Sequence, residues 1–456
     1  MGALPYADIQ GIILRSAKMP FMRQLVLQVT DAPAARGFIG ALADGPGPRV
    51  SSAIPWNKDE KPESVLYVSF SYAGLKALGI PEASLATFPE EFMEGAVKRA
   101  EEVGDTGDSS PEHWKQGLNT ESAHVFVTIP AMSPAVRDTV TAAVLALAAQ
   151  DGACAEIARF DGNALPGGDV AHFGYRDGFG QPQIEGGLKR ALPSPQPKAP
   201  AGAFLLGYPS QFVNFSYPVP QPDVLGLNGS FGALRILEQD TAGFEKFLED
   251  NASAVDKELL AAKICGRWRN GTPLSLSPGT PDPNPPIPPE KMNWFDYKPT
   301  DQVPDAFDDK RGYRCPIGSH IRRNNPRSAD VAGGNGHKHR IVRRGLPYGP
   351  PFDPANPNDG QERGLLGLFL CVSLKDQFEF LMSEWVNDGL FAPGLGRSKD
   401  PIIGDNSPAD SEFKIARPKE QGGSIAIRGF SSFVTTRGGA YCFFPSIPAL
   451  RHIASL

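Results

Sequence analysis

The run His172-Phe-Gly-Tyr-Arg-Asp-Gly-Phe-Gly-Gln-Pro, ending at Pro182, sets one carboxylate, Asp177, among glycines and aromatics. Loss of hydration there would shift its proton affinity and fit it for acid/base work. The same residue types also suit an Asx-type turn. The glycines permit a tight turn and the close approach of a flat ligand. A second run, Cys315-Pro-Ile-Gly-Ser-His-Ile-Arg-Arg-Asn-Asn-Pro-Arg, puts His320 ahead of Arg322, Arg323 and Arg327. A neutral imidazole is a good iron ligand, and nearby guanidiniums suit propionate carboxylates. A histidine in a solvated basic loop is the alternative. A third run, Arg340-Ile-Val-Arg-Arg-Gly-Leu-Pro-Tyr-Gly-Pro, reads as a short apolar strand ending in Arg343 and Arg344. Strand alternation turns one of the two inward.

The elements that must position these groups follow a recurring pattern of strand, turn and amphipathic helix. Arg23–Thr30 leads into a helix through about Leu42, and Ser64–Phe70 into Ala73–Leu78. His124–Ile129 precedes a helix over Ser133–Ala149, with Ser133 as N-cap and Pro134 at the first helical position. Cys154–Phe160 adds a strand. The pattern restarts with Ser230–Leu237 and a helix to Leu248, then Leu366–Ser373 and a helix over Asp376–Val386. Phe433–Phe444 reads as a strand pair or a bulged strand. Strands that alternate rather than run fully apolar favour an antiparallel sheet covered on one side. The fold class is therefore α+β, in two halves resembling a duplication: residues 1–223, carrying the Asp177 loop, and residues 224–456. The loop-rich stretch Pro193–Asp223 marks the boundary, and proline-dense Pro273–Pro289 is an excursion over the surface.

Composition narrows the partners. A 456-residue chain exceeds one ordinary core. The net charge of -6 argues against a general nucleic-acid binder, and no apolar run reaches membrane-spanning length. The amino terminus has no secretory or twin-arginine pattern. Five scattered cysteines offer no CxxC metal site and no disulfide framework, so a reduced, cytoplasmic compartment is expected.

The three runs carry a resemblance. His172-Phe-Gly-Tyr-Arg-Asp-Gly resembles the GxxDG motif of the dye-decolorizing peroxidases, haem enzymes of the ferredoxin-like α+β superfamily. Gly318-Ser-His-Ile-Arg-Arg-Asn-Asn-Pro-Arg resembles their proximal-histidine motif, and Val342-Arg-Arg-Gly-Leu-Pro-Tyr-Gly their distal-arginine motif. Further matches, among them Asp8-Ile-Gln-Gly-Ile-Ile-Leu and Thr436-Arg-Gly-Gly-Ala-Tyr-Cys-Phe-Phe-Pro, span nearly the whole chain, whose length resembles the longer members. The resemblance implies two ferredoxin-like domains, with one haem b per chain held mainly by the second. It implies His320 as the iron ligand, Asp177 as the distal acid/base and Arg343, two residues before Gly345, as the distal arginine. Arg323 and Arg343 would contact the cofactor. Leu368 and Phe369, with Leu366, would form the apolar wall above it, at a spacing that departs by about a residue from the family pattern. Asp400 would accept from the other nitrogen of His320, with Asp405 and Asp410 as alternatives. His172 would touch the haem edge or serve as a satisfied loop histidine. Tyr348 and Trp385 would relay electrons to the haem or simply pack. The activity implied is reduction of hydrogen peroxide with oxidation of dyes, phenols and similar small aromatic donors through a ferryl intermediate; Asp177 as the acid/base predicts an acidic optimum. The alternative is a haem-handling protein for storage, transfer or iron release. No nucleic acid or membrane is expected as a partner, and a homo-oligomer stays open.

Overall fold

A computed structural model describes residues 4–188, 193–332, 334–396 and 398–456. Eight strands form one antiparallel sheet. They are β1 (Phe21–Val29), β2 (Tyr67–Phe70), β3 (Val125–Ala131), β4 (Cys154–Asn163), β5 (Ser230–Gln239), β6 (Val342–Tyr348), β7 (Gly364–Cys371) and β10 (Val434–Phe444). Strands β8 (Glu412–Ala416) and β9 (Ser424–Arg428) form a separate hairpin. The order in the large sheet is β4-β1-β3-β2-β10-β5-β7-β6. Taken in chain order within each half, the strands follow the same arrangement, fourth-first-third-second, which is the ferredoxin-like order repeated. The halves meet where Phe70 of β2 pairs with Phe443 of β10.

Local chemistry sets the boundaries of these elements. Ser133 Oγ accepts from the Val136 N–H at 3.2 Å to start the helix Pro134–Ala149, and Asp240 Oδ1 accepts from the Gly243 N–H at 2.8 Å to start Thr241–Asp250. Strand β10 is bulged: Thr436 faces Leu237 and Gly438 faces Ile236, so Arg437 is the extra residue. The run after β7 is wound as two π-helical segments, Leu374–Glu379 and Leu381–Val386, rather than as a plain α-helix.

The expectation of one covered face is corrected. Leu25, Leu27, Val68, Val127, Phe231 and Phe443 are buried under helices on one side of the sheet. Val26, Tyr67, Phe126, Leu234, Val342, Leu366 and Leu368 form a second core on the other. The reason is curvature. The sheet rolls until its edges approach, so that a Cβ added at Gly162 of β4 would lie 2.9 Å from the Leu346 Cβ of β6. The concave face thereby encloses its own core. Pro273–Pro288 carries no helix or strand; the Trp268 indole and the Arg314 guanidinium hold it by donating to the carbonyls of Ser277 and Ser275, each at 2.9 Å.

Candidate active site

His320 begins a short helix, His320–Asn324. Its Nδ1 lies 2.9 Å from Asp400 Oδ2 and 3.2 Å from Oδ1. Asp400 is fully buried, and its carboxylate also accepts from the N–H groups of Ile402 (2.9 Å) and Ile403 (3.0 Å) and from Asn324 Nδ2 (3.1 Å). Burial pushes this carboxyl's pKa up; the His320 ring and the two amides more than offset that, and hold it below the ordinary value. An ionised carboxylate on Nδ1 fixes the proton there and leaves the Nε2 lone pair free. Nε2 has no hydrogen-bond partner among the described residues, and the side chain keeps 24% of its exposure. Asp405 and Asp410, the alternatives for this role, are both exposed; Asp405 lies beside Lys399 and Thr106.

On the opposite wall, Arg343 Nη1 lies 3.2 Å from Asp177 Oδ1. The guanidinium is the main cause that lowers the Asp177 pKa; burial opposes it, and the Gly178 N–H and the field of His320 add to it. Its side chain keeps 54% of its exposure and that of Arg343 36%, so both are open to water. His320 is close enough to act on the carboxylate. Arg344 points to the other side of β6 and donates to the carbonyls of Ile12 (2.8 Å) and Arg343 (3.0 Å). The two arginines sit at the start of β6 rather than at its end.

The loop that carries Asp177 is held by packing on several sides. Phe173 and Tyr175 are buried against Phe244, with ring centroids 4.7 and 6.3 Å away. Phe179 packs on the Gly271 turn, where an added Cβ would come within 2.5 Å of its ring.

Several expected contacts are corrected. Arg323 is fully buried and all of its N–H groups are used: Nε donates to Gly318 O, Nη1 to Trp385 O and Asp388 O, and Nη2 to the carbonyl and hydroxyl of Ser398. A guanidinium satisfied in this way has no donor left for a cofactor carboxylate. Arg322 and Arg327 are likewise drawn into structural bonds, Arg322 to Cys315 O (2.7 Å) and Arg327 to Asn293 Oδ1 (2.6 Å). Leu368 and Leu366 belong to the concave core and not to the wall beside Arg343, because side chains alternate along β7. Phe369, directly across from Arg343 in the ladder, shares its face. His172 Nε2 lies 2.7 Å from Tyr348 O. Trp385 is fully buried and donates to Ala332 O at 2.9 Å, so it presents no surface to a bulky donor.

Sequence reasoning missed two groups. Asn324 bridges the His320 carbonyl and Asp400, and its place four residues after His320 on a helix was the available signal. Gln181 Oε1 accepts from the Arg343 N–H at 3.1 Å, a contact that no spacing announces.

The donor set fits a haem: an imidazole with one nitrogen free of hydrogen bonds among the described residues, steered by a buried carboxylate, lies close enough to a water-exposed carboxylate–guanidinium pair to act on it. Residues 8–166 match the family model described as the DyP dimeric alpha+beta barrel domain. The dye-decolorizing peroxidase msp1 of Mycetinis scorodonius is 30% identical over 99% of this chain and 88% of its own length. A crystal structure of a decolorizing peroxidase from Auricularia auricula-judae superposes with a TM-score of 0.82 at 26% identity, over 99% of this chain and 100% of that one. A dye-decolorizing peroxidase solved in complex with 2,6-dimethoxyphenol gives a TM-score of 0.81 at 27% identity, over 99% and 100%. With that fold and a relative 30% identical over nearly all of this chain, the chain belongs to the dye-decolorizing peroxidase family and is a peroxidase.

Proposed function

We propose that the chain reduces hydrogen peroxide at one bound haem b and oxidises dyes, phenols and similar small aromatic donors. The observation that carries this reading is the Asp177–Arg343 pair, 3.2 Å apart, open to water and close enough to His320 for its charge to act on Asp177. A storage or transfer protein needs an axial ligand but neither of these groups. None of the five cysteines stands in a C-x-x-C-H attachment sequence, which favours haem b over a covalently linked haem. The solved relative bound to 2,6-dimethoxyphenol supports phenols as donors.

His320 would hold the iron through Nε2, and Asp400 would keep the Nδ1 proton and orient the ring. Bound haem supplies an iron that takes oxidising equivalents from peroxide and returns them to donors one electron at a time. The residues do the proton work. Held ionised by Arg343, the Asp177 carboxylate would accept a proton from one peroxide oxygen and deliver it to the other, which would leave as water. Arg343 holds the anionic charge that builds up during this transfer. Phe369 keeps the wall beside Arg343 apolar. The test is the absorption spectrum of the purified protein and of His320→Ala: a Soret band in the first and its loss in the second are expected. Equal haem occupancy in both would remove His320 as the ligand.

A further inference from the structure

Strand β6 is the last in the sheet order, so no neighbouring strand pairs with the backbone groups along its outer side. One of those groups is taken up by a side chain of the Asp177 loop, and a second side chain of the loop reaches the carbonyl of the residue that closes the strand. The Arg343 N–H donates to Gln181 Oε1 at 3.1 Å, and His172 Nε2 lies 2.7 Å from the Tyr348 carbonyl. Burial pushes the His172 pKa down, so the neutral ring, with its proton on Nε2, makes this bond. At about 3.4 Å per residue the two attachment points are roughly 17 Å apart along β6, and Asp177 lies between them in sequence.

The other ties of this loop lead elsewhere. The Arg176 N–H donates to Arg269 O at 2.9 Å, Arg269 Nη1 donates to Phe173 O at 2.7 Å, and the Arg267 guanidinium sits 4.9 Å over the Phe179 ring. These fix the loop to the turn at residues 266–271, not to the strand that carries Arg343. Gln181 instead bonds the backbone of the very residue whose guanidinium meets Asp177. The loop backbone also runs beside that guanidinium: a Cβ added at Gly180 would lie 3.8 Å from Arg343 Nη2. An arginine side chain has many rotamers, so a short ion pair needs both of its backbones held.

We propose that Gln181, on the free edge of β6, with His172 at the end of the strand, clamps the Asp177 loop against β6 and thereby sets the spacing of the Asp177–Arg343 pair. Gln181 is then a positioning residue, and its role in turnover rests on the reading that this pair moves the proton. Gln181→Leu removes the acceptor at similar volume, whereas Gln181→Glu keeps an acceptor oxygen. In the haem-loaded protein, amide hydrogen exchange at the Arg343 N–H is expected to quicken about tenfold in Gln181→Leu and to stay near the parent rate in Gln181→Glu. The acid limb of the pH–rate profile for reaction with peroxide should move upward in Gln181→Leu, toward that of an unpaired aspartate, with a rate about fivefold to tenfold lower. Unchanged exchange at Arg343 overturns the clamp. Faster exchange with an unmoved acid limb and rate overturns the positioning role and leaves the peroxidase assignment standing. A parent protein with no Soret band fails the haem reading and not the clamp, which exchange reads independently. If Gln181→Leu does not accumulate in folded form, Gln181→Met provides the same comparison.

Discussion

Replacing Arg343 by leucine separates the two roles given to this residue, and both effects can be sized. Arg343 Nη1 and Asp177 Oδ1 are 3.2 Å apart and both keep water contact, so screening near that of water applies; Coulomb's law at that distance then gives about 1.3 kcal/mol. Loss of the guanidinium removes the main cause that lowers the Asp177 pKa, so that pKa rises. The sign follows from the site: Arg343 lowers this pKa, and the carboxylate form takes the peroxide proton, so activity is lost as pH falls through the pKa. The acid limb of the rate with peroxide should therefore move to higher pH in Arg343→Leu. The second effect is on the plateau. Removing a donor aimed at developing negative charge typically lowers the rate by about 10²–10³. Stopped-flow measurement of the reaction with peroxide between pH 2.5 and 7 reads both. A plateau within threefold of the parent, with an unmoved acid limb, would show that Arg343 neither holds Asp177 ionised nor stabilises the transition state.

Two further changes test the surroundings. Asp400→Asn removes the buried charge opposite His320 Nδ1 and should weaken haem binding by about 10–100-fold and raise the iron reduction potential, read by haem titration and potentiometry. Because the fold lowers the Asp400 pKa, its contribution to stability is complete above the unfolded value of about 4 and is lost as pH falls through the lower folded value; acid unfolding of the haem-free protein should be less steep in Asp400→Asn. Arg323→Met leaves the carbonyls of Gly318, Trp385, Asp388 and Ser398 without their donor and should cost about 3–5 kcal/mol in urea unfolding, while the molecules that remain folded keep their haem. Loss of haem without loss of stability would instead make Arg323 a cofactor contact.

Much of the fold was legible because its signals are local. Alternation marked the strands, Ser133 capped a helix, and of the two readings of Phe433–Phe444, a strand pair or a bulged strand, the second matches the bulge that Arg437 makes in β10. The second buried face was not legible. Whether the outer face of an alternating strand meets water depends on how far the sheet rolls, which is set by the sum of many strand twists. The arginines after His320 misled for a related reason: charged residues in a loop read as solvated or ligand-binding, whereas buried carbonyl oxygens of Asn293, Cys315, Trp385, Asp388 and Ser398 needed the same donors.

The sequence by itself determined which chemistry is available. One aspartate in a glycine turn, one histidine before a basic helix and an arginine pair on a strand are residue types fixed by the chain, and the two strand–helix repeats fixed the α+β class. Only the tertiary structure decided which of these groups meet. Asp177 and Arg343 are 166 positions apart, and His320 and Asp400 are 80. Contacts at such separations depend on sheet order and register rather than on spacing. Register put Arg343 rather than Arg344 beside Asp177 and Phe369 rather than Leu368 on their wall, because in a strand a shift of one residue exchanges the two faces.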